Sequence, residues 1–318
     1  MNSKTDEILS KLNNATRIAV FCHVHPDGDA IGSGLALYLA LKGKGKAACF
    51  VCEDAVPDKF LFLDGASEIK TELPDTDYDL MVAVDCADVT RLGAFAKGFV
   101  KFKETVNIDH HISNNGYARY NYVVERPATC ELLCELLLAG GFEITVPIAN
   151  ALMTGLATDS GNFIHMDVSP KTFETAAYLR GKGADCSKIN YEVFSRQPKS
   201  RALLYGRVMS KIRFALDDKL TFITITAKDM QETGADKSLT EGFVDFPLTI
   251  DGVEVSVALM EAQKDRYKVS LRSKGKVNVN AIATSFGGGG HILASGCMLC
   301  GSVEHVIDKL TYAVYQNL

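Results

Sequence analysis

The sequence predicts an α/β protein in two parts: an N-terminal, doubly wound, mainly parallel sheet, then a helical linker and a smaller α+β domain. Three observations carry this expectation. Short apolar runs rich in β-branched residues recur at Ile18-Ala19-Val20-Phe21, Leu80-Met81-Val82-Ala83-Val84 and Thr105-Val106-Asn107-Ile108, and such runs read as strands buried on both faces. Helix-period segments stand between them, which implies βαβ units. Past about Ser187 the texture changes toward hairpins. A chain of 318 residues is long for one core, so two domains are expected.

Taken in order, the polar segment 1–16 reads as helix. A strand over 18–22 leads into a helix over 31–42, stopped by Gly43 and Gly45. Further strands fall at 46–51, 79–84, 104–108 and 120–124, with helices at 129–139, ended by Gly140-Gly141, and at 147–158. The domain boundaries that follow are 1–188, a charged helical connector over 189–211, and 212–318. The last part holds strands at 220–226, 253–260 and 267–271, a glycine run, and a C-terminal helix whose Val303, Val306, Ile307, Leu310 and Val314 share one face.

Composition narrows the function classes. Hydrophobic residues at 47% and charged residues at 23% match a soluble globular protein. No stretch approaches the ~18–20 apolar residues of a membrane span, and the N-terminus has no signal-peptide core, so a cytoplasmic protein without a membrane partner is expected. A net charge of −5 argues against a broad basic surface for long duplex nucleic acid while allowing a local phosphate-binding groove. The spacings Cys49 to Cys52 and Cys297 to Cys300 lie in strand-like surroundings without the turn residues of a zinc knuckle. They read as buried small hydrophobes.

Acids and histidines cluster at the predicted strand ends: His23-Val24-His25-Pro26-Asp27-Gly28-Asp29, Asp85, and Asp109-His110-His111, with Asp159 ending a helix. In open α/β sheets ligands bind beyond the carboxyl ends of the strands, so these clusters should meet in one crevice. Carboxylates at ~4 Å repel by about 4 kcal/mol at an effective dielectric of 20, and cations are needed to hold them together. Carboxylate and imidazole donors without thiolate suit manganese or magnesium, and paired metals serve in-line displacement at phosphorus. Spacing does not rank His23 against His25, since both would point the same way if the strand continued. Asp29 and Asp159 also fit helix N-caps.

With His23-x-x-Pro26-Asp27-x-Asp29, a solitary Asp85, Asp109-His110-His111 and Asp159 in that order, the chain resembles the DHH phosphoesterase superfamily. Phe286-Gly287-Gly288-Gly289-Gly290-His291 resembles the glycine motif of its associated C-terminal domain. The resemblance spans nearly the whole chain. Family II inorganic pyrophosphatases share only the first half, and RecJ-type single-strand DNA exonucleases are usually longer. Size and organisation are similar to the oligoribonuclease and pAp phosphatase branch. That branch implies hydrolysis of di- to pentanucleotides, RNA or DNA, including linear pApA, with 3′-phosphoadenosine 5′-phosphate or cyclic-di-AMP as further substrates, and it allows a homodimer. It implies two divalent cations, Mn2+ with Mg2+ or Co2+ as alternatives. His23, Asp27 and Asp85 would hold one; Asp29, Asp85, His110 and Asp159 the other. Only the resemblance favours His23 over His25. Asp109 would orient ligands and His111 would stand near the phosphate or the bridging water.

The second domain is expected to grip substrate. Glycines such as Gly288, Gly289 and Gly290 let backbone N–H groups approach a phosphate, His291 can donate to an anionic oxygen, and Arg272-Ser273 ends a strand, with Arg shaped for bidentate phosphate contact. The active site would then lie in the cleft between the domains. Two other readings remain: a RecJ-like exonuclease on long single strands, and a non-catalytic nucleotide-binding protein.

Overall fold

A computed structural model describes residues 3–318. The chain divides into two compact units, Met1–Arg196 and Gln197–Leu318, a boundary that falls inside the expected 189–211 connector. In the first unit, α1 (Thr5–Asn14) precedes β1 (Arg17–Phe21), α2 (Gly28–Gly43), β2 (Ala47–Val51), β3 (Leu80–Val84), α3 (Ala96–Lys101), β4 (Thr105–Asp109) and β5 (Tyr120–Val123). Then come α4 (Thr129–Ala139), α5 (Val146–Asp159), α6 (Pro170–Gly181) and α7 (Cys186–Asn190). Residues 1 and 2 of the expected N-terminal helix lie outside the described residues.

The sheet order is β2-β1-β3-β4-β5 and every pairing is parallel. The chain order reverses between β1 and β3, and their carboxyl ends, followed by His23 and Asp85, therefore lie side by side at the switch point where such sheets bind ligands. β3 is buried along its whole length, as its unbroken apolar run requires. Helix α2 starts earlier than the spacing suggested. Asp27 caps it, its Oδ1 accepting from the N–H groups of Asp29 and Ala30, which draws Gly28 and Asp29 into the first turn. Helix α6 was not anticipated, although Ser169-Pro170 announces it: Ser169 and Thr172 form a capping box with Pro at the first helical position.

The second unit comprises α8 (Lys199–Met209), β6 (Arg213–Ala215), β7 (Leu220–Ile225), α9 (Ala227–Thr233), β8 (Val255–Gln263), β9 (Arg266–Ser273), α10 (Val279–Ser285), β10 (Gly289–Gly290), β11 (Ala294–Cys300) and α11 (Val303–Tyr315). Its sheet runs β10-β11-β9-β8-β7-β6. It is antiparallel except for β7 and β8, which pair in parallel. Residues 226–254, which include α9, are long enough for the crossover that a parallel pair needs. The face of α11 carrying Val306, Leu310 and Val314 packs into this unit's core. All nine cysteines are free thiols. No helix among the described residues is long and apolar enough to cross a membrane.

Candidate metal centre

The strand ends deliver the acids and histidines to one place. His23, two residues past β1, is 2% exposed; its Nε2 lies 3.7 Å from Asp27 Oδ2 and 3.5 Å from Asp85 Oδ2. Asp85, directly after β3, is equally buried and takes a left-handed backbone (φ 51°), a strained conformation that Asp tolerates better than most residues. The Asp85 N–H donates to Ile108 O on the next strand, and the Thr129 hydroxyl donates to Asp85 Oδ1 at 2.9 Å. His110 Nε2 is 3.6 Å from Asp85 Oδ1 and 3.2 Å from Asp159 Oδ2. Donor atoms of His23, Asp27 and Asp85 lie within 4.8 Å of one another, as do those of Asp29, His110 and Asp159, and of Asp85, His110 and His111.

His25 goes elsewhere. The chain turns at His25 (φ 54°), which leaves its ring 90% exposed beside Asp54. Asp29 is wholly buried, and its two oxygens accept the Thr129 and Cys130 N–H groups at 2.6 and 2.9 Å. These are the first N–H groups of α4, whose own cap residue, Ala128, offers no side chain. The carboxylate thus serves that helix end from α2. It can do so because α5 comes close at Gly155, where a Cβ would meet Asp29 Oδ1 at 2.6 Å.

Electrostatics follow from this crowding. Burial, then the charges of Asp85 and Asp159, raise the Asp29 carboxyl well above its ordinary value. Burial and Asp85 push Asp159 up to about 6. Burial alone would lower the His23 pKa, but Asp27 and Asp85 outweigh it and raise the imidazolium to about 10. Asp27 moves the other way, to about 2, because His23 and the helix N–H groups overcome desolvation.

The donor set fits divalent cations. His110 donates from Nδ1 to Arg126 O at 2.8 Å, which leaves Nε2 as a buried nitrogen with no hydrogen-bond partner among the described residues, facing carboxylates. An orphaned imidazole nitrogen among acids is what a cation would satisfy. His111 instead donates from Nδ1 to Asp109 Oδ1 at 2.8 Å, and Asn114 donates to Asp109 Oδ2 at 2.6 Å and to Asn107 Oδ1 at 2.7 Å. Asp109 therefore orients His111 from a buried polar network that sequence reasoning missed, together with Thr129. The only signal was a lone Asn107 within an apolar strand.

In the second unit a cavity of about 700 Å³ is lined by Lys268, Ser270, Arg272, glycines 287–290 and Ser295, among others. Arg272 is half-buried, with Nε 3.0 Å from Asp245 Oδ1. Ser273 departs from expectation: it alternates to the buried face of β9 and accepts the Gly275 N–H. Ser270 shares the Arg272 face and lines the cavity. The glycines also differ. The Gly287 N–H donates to Thr284 O and the Gly288 N–H to Ala283 O, with Gly287 at φ 76°. This is a Schellman ending for α10, so those two N–H groups serve the helix and not a ligand. Gly289 and Gly290 form β10, and His291 is exposed in the turn to β11, its backbone bonded to Ala294.

The sequence profile of the DHH family, N-terminal domain, matches residues 17–157, and that of the DHHA1 domain matches 218–317. Among curated proteins, the chain is 34% identical to the bifunctional oligoribonuclease and PAP phosphatase NrnA of Thermus thermophilus, covering 98% of this chain and 93% of the relative. It is 26% identical to the cyclic-di-AMP phosphodiesterase GdpP of Bacillus subtilis, covering 97% of this chain and 48% of that protein. Among solved structures, an exopolyphosphatase-related protein from Bacteroides fragilis superposes with a TM-score of 0.81 at 29% identity, over 98% of this chain and 95% of that one.

Proposed function

The chain belongs to the DHH family and carries a DHHA1 domain, and from that premise we propose that this phosphoesterase is a manganese-dependent phosphodiesterase of short oligonucleotides. Di- to pentanucleotides, linear pApA included, are the substrates, with 3′-phosphoadenosine 5′-phosphate as a further one. The observation that carries the reading is a chain of overlapping donor groups, His23, Asp27 and Asp85, then Asp85, His110 and His111, then Asp29, His110 and Asp159, with a buried, unpartnered His110 Nε2 among them. The relatives named for oligoribonuclease and PAP phosphatase activity support the substrate class.

His23, Asp27 and Asp85 would hold one divalent cation, and Asp29, Asp85, His110 and Asp159 a second. Such cations supply an activated water and neutralise phosphate charge. Thr129 fixes the Asp85 carboxylate so that both its oxygens stay turned to the centre. Arg126 O fixes the His110 tautomer with its lone pair on Nε2. Asp109 takes the His111 Nδ1–H and raises that ring's pKa, which favours the imidazolium form whose Nε2 proton would reach a phosphate oxygen or the leaving oxygen. In the second unit Lys268 and Arg272 bring cationic donors to the glycine cavity for substrate phosphate.

A substrate panel with Mn2+, repeated with Mg2+ and Co2+, tests this: a pentaribonucleotide, linear diadenylate, 3′-phosphoadenosine 5′-phosphate, cyclic-di-AMP and pyrophosphate. Turnover should be fastest on the short linear oligonucleotides with Mn2+. Activity that climbs from five to twenty nucleotides would identify a long-strand exonuclease instead. Tight nucleotide binding with no turnover under any metal would identify a binding protein.

A further inference from the structure

Arg91 lies in a short 3-10 helical segment, Val89–Phe95, after β3, the strand end that supplies Asp85. Its backbone is anchored, the N–H donating to Asp88 O at 3.0 Å and the carbonyl accepting from Val24 N–H at 2.7 Å. The same segment is tied down further on, where the Ala94 N–H donates to Glu53 Oε2. This holds the guanidinium against the metal centre, with Nη2 3.0 Å from His23 Nδ1. That nitrogen cannot serve it. His23 Nδ1 is 2.8 Å from Val24 O, a carbonyl that only accepts, so Nδ1 carries a proton and has no lone pair to offer. Among the described residues Arg91 makes no ion pair, whereas Arg119, Arg126 and Arg272 each face a carboxylate. A permanent cation with five donors, on an exposed residue, thus stands at the rim of the centre without an acceptor among the described residues.

We propose that Arg91 is a substrate-binding residue of the first unit, its guanidinium taking the non-bridging oxygens of the phosphoryl group being hydrolysed. The placement beside the His23, Asp27 and Asp85 donors selects the reacting phosphate over a remote one, and the planar fork suits two oxygens of one phosphoryl group. The inference rests on the phosphoesterase reading above.

The test compares Arg91→Gln and Arg91→Lys with wild type in three measurements: Mn2+ affinity by calorimetry, kcat/KM on linear diadenylate and on bis(p-nitrophenyl) phosphate, and orthophosphate affinity of the manganese-loaded protein. Arg91→Gln should lose about 10²-fold in kcat/KM on both diesters, since both present the reacting phosphoryl group. Its orthophosphate affinity should fall about tenfold, the scale of one lost charged hydrogen bond. Mn2+ affinity should not weaken, because removing a cation near the site cannot cost a cation its binding. Arg91→Lys should recover part of both losses. A fall in Mn2+ affinity that parallels the activity loss would make Arg91 a support for His23 and overturn the proposal. Unchanged kcat/KM and unchanged orthophosphate affinity would also overturn it. If wild type turns over neither diester, the phosphodiesterase reading is what fails, and the orthophosphate measurement still decides for or against Arg91.

Discussion

The Asp85 carboxylate is 2% exposed, sits on a strained backbone and is braced by a hydroxyl from another element. The glycine turn of the second unit is exposed and held mainly by its own backbone bonds. The first region gathers like charges in a place water barely reaches, so every neighbour of an acid is under constraint. The second gathers backbone and cationic side chains around open space, so most of its contacts can be altered singly. The difference teaches that the first unit should fail as a whole when one donor changes, while the second should lose grip by increments.

The largest effect is expected from Asp85→Asn. Removing the charge of a carboxylate that belongs to two donor groups should lower Mn2+ content toward zero or one per chain and cut kcat/KM by more than the ~10²–10³-fold lost with a single charge-stabilising donor. Metal analysis with steady-state kinetics measures both. Two metals retained with near-wild-type turnover would break the comparison at its strongest point.

His291→Ala is expected to leave metal stoichiometry intact and to cost about 3 kcal/mol in kcat/KM on a dinucleotide, at the low end for one lost charge-stabilising donor. The loss should be smaller on a chromogenic diester. Equal losses on both, or metal loss, would place His291 within the metal chemistry and erase the contrast between the units.

The same Gly-to-Ala change sharpens the contrast. Gly155→Ala pushes on Asp29, and overpacking of about 1–3 kcal/mol should appear as a lower Tm together with weaker Mn2+ binding. Gly287→Ala forces a side chain into a left-handed residue at about 1–2 kcal/mol, and it should lower stability without touching Mn2+ affinity. Calorimetry of each variant with and without metal separates the two outcomes.

A smaller, graded effect is expected from pH. His23 in the metal-free protein holds its proton up to about 10, and a cation needs the neutral ring. Mn2+ binding between pH 7 and 9 should therefore release protons, measurable in buffers of different ionisation enthalpy, and affinity should rise with pH and level off near 10. The sign for metal-free stability is the reverse. The folded pKa lies above the ordinary 6.5, so the stabilising pairing with Asp27 and Asp85 is complete below about 6.5 and fades as pH rises through about 10. Proton release absent at pH 8 would mean that His23 is not a ligand.

Much of the first unit was legible because its signals are local. Short apolar runs, broken in β4 only by Asn107, marked β1, β3 and β4, and an acid or histidine at or just after each marked the strand end. Where the signal was a cap and not a period, it was overlooked: Ser169-Pro170 for α6, and Thr226 with Asp229, whose capping box starts α9. The strand alternation that sends Arg272 and Ser273 to opposite faces was also present in the sequence, yet only the register with a buried core says which face is which.

The sequence by itself placed the strands of the first unit and set acids and histidines at or just after the ends of β1, β3 and β4, because periodicity and chain direction are properties of neighbouring residues. Only the tertiary structure decided between His23 and His25, since a turn with positive φ sends one ring inward to Asp85 and the other into solvent. Only packing gave Asp29 to the N-terminus of α4, set Thr129 against Asp85 and brought Arg91 to His23. Those contacts join residues far apart in the chain, and nothing in local propensity encodes which distant backbone a buried carboxylate or an unpaired guanidinium will face.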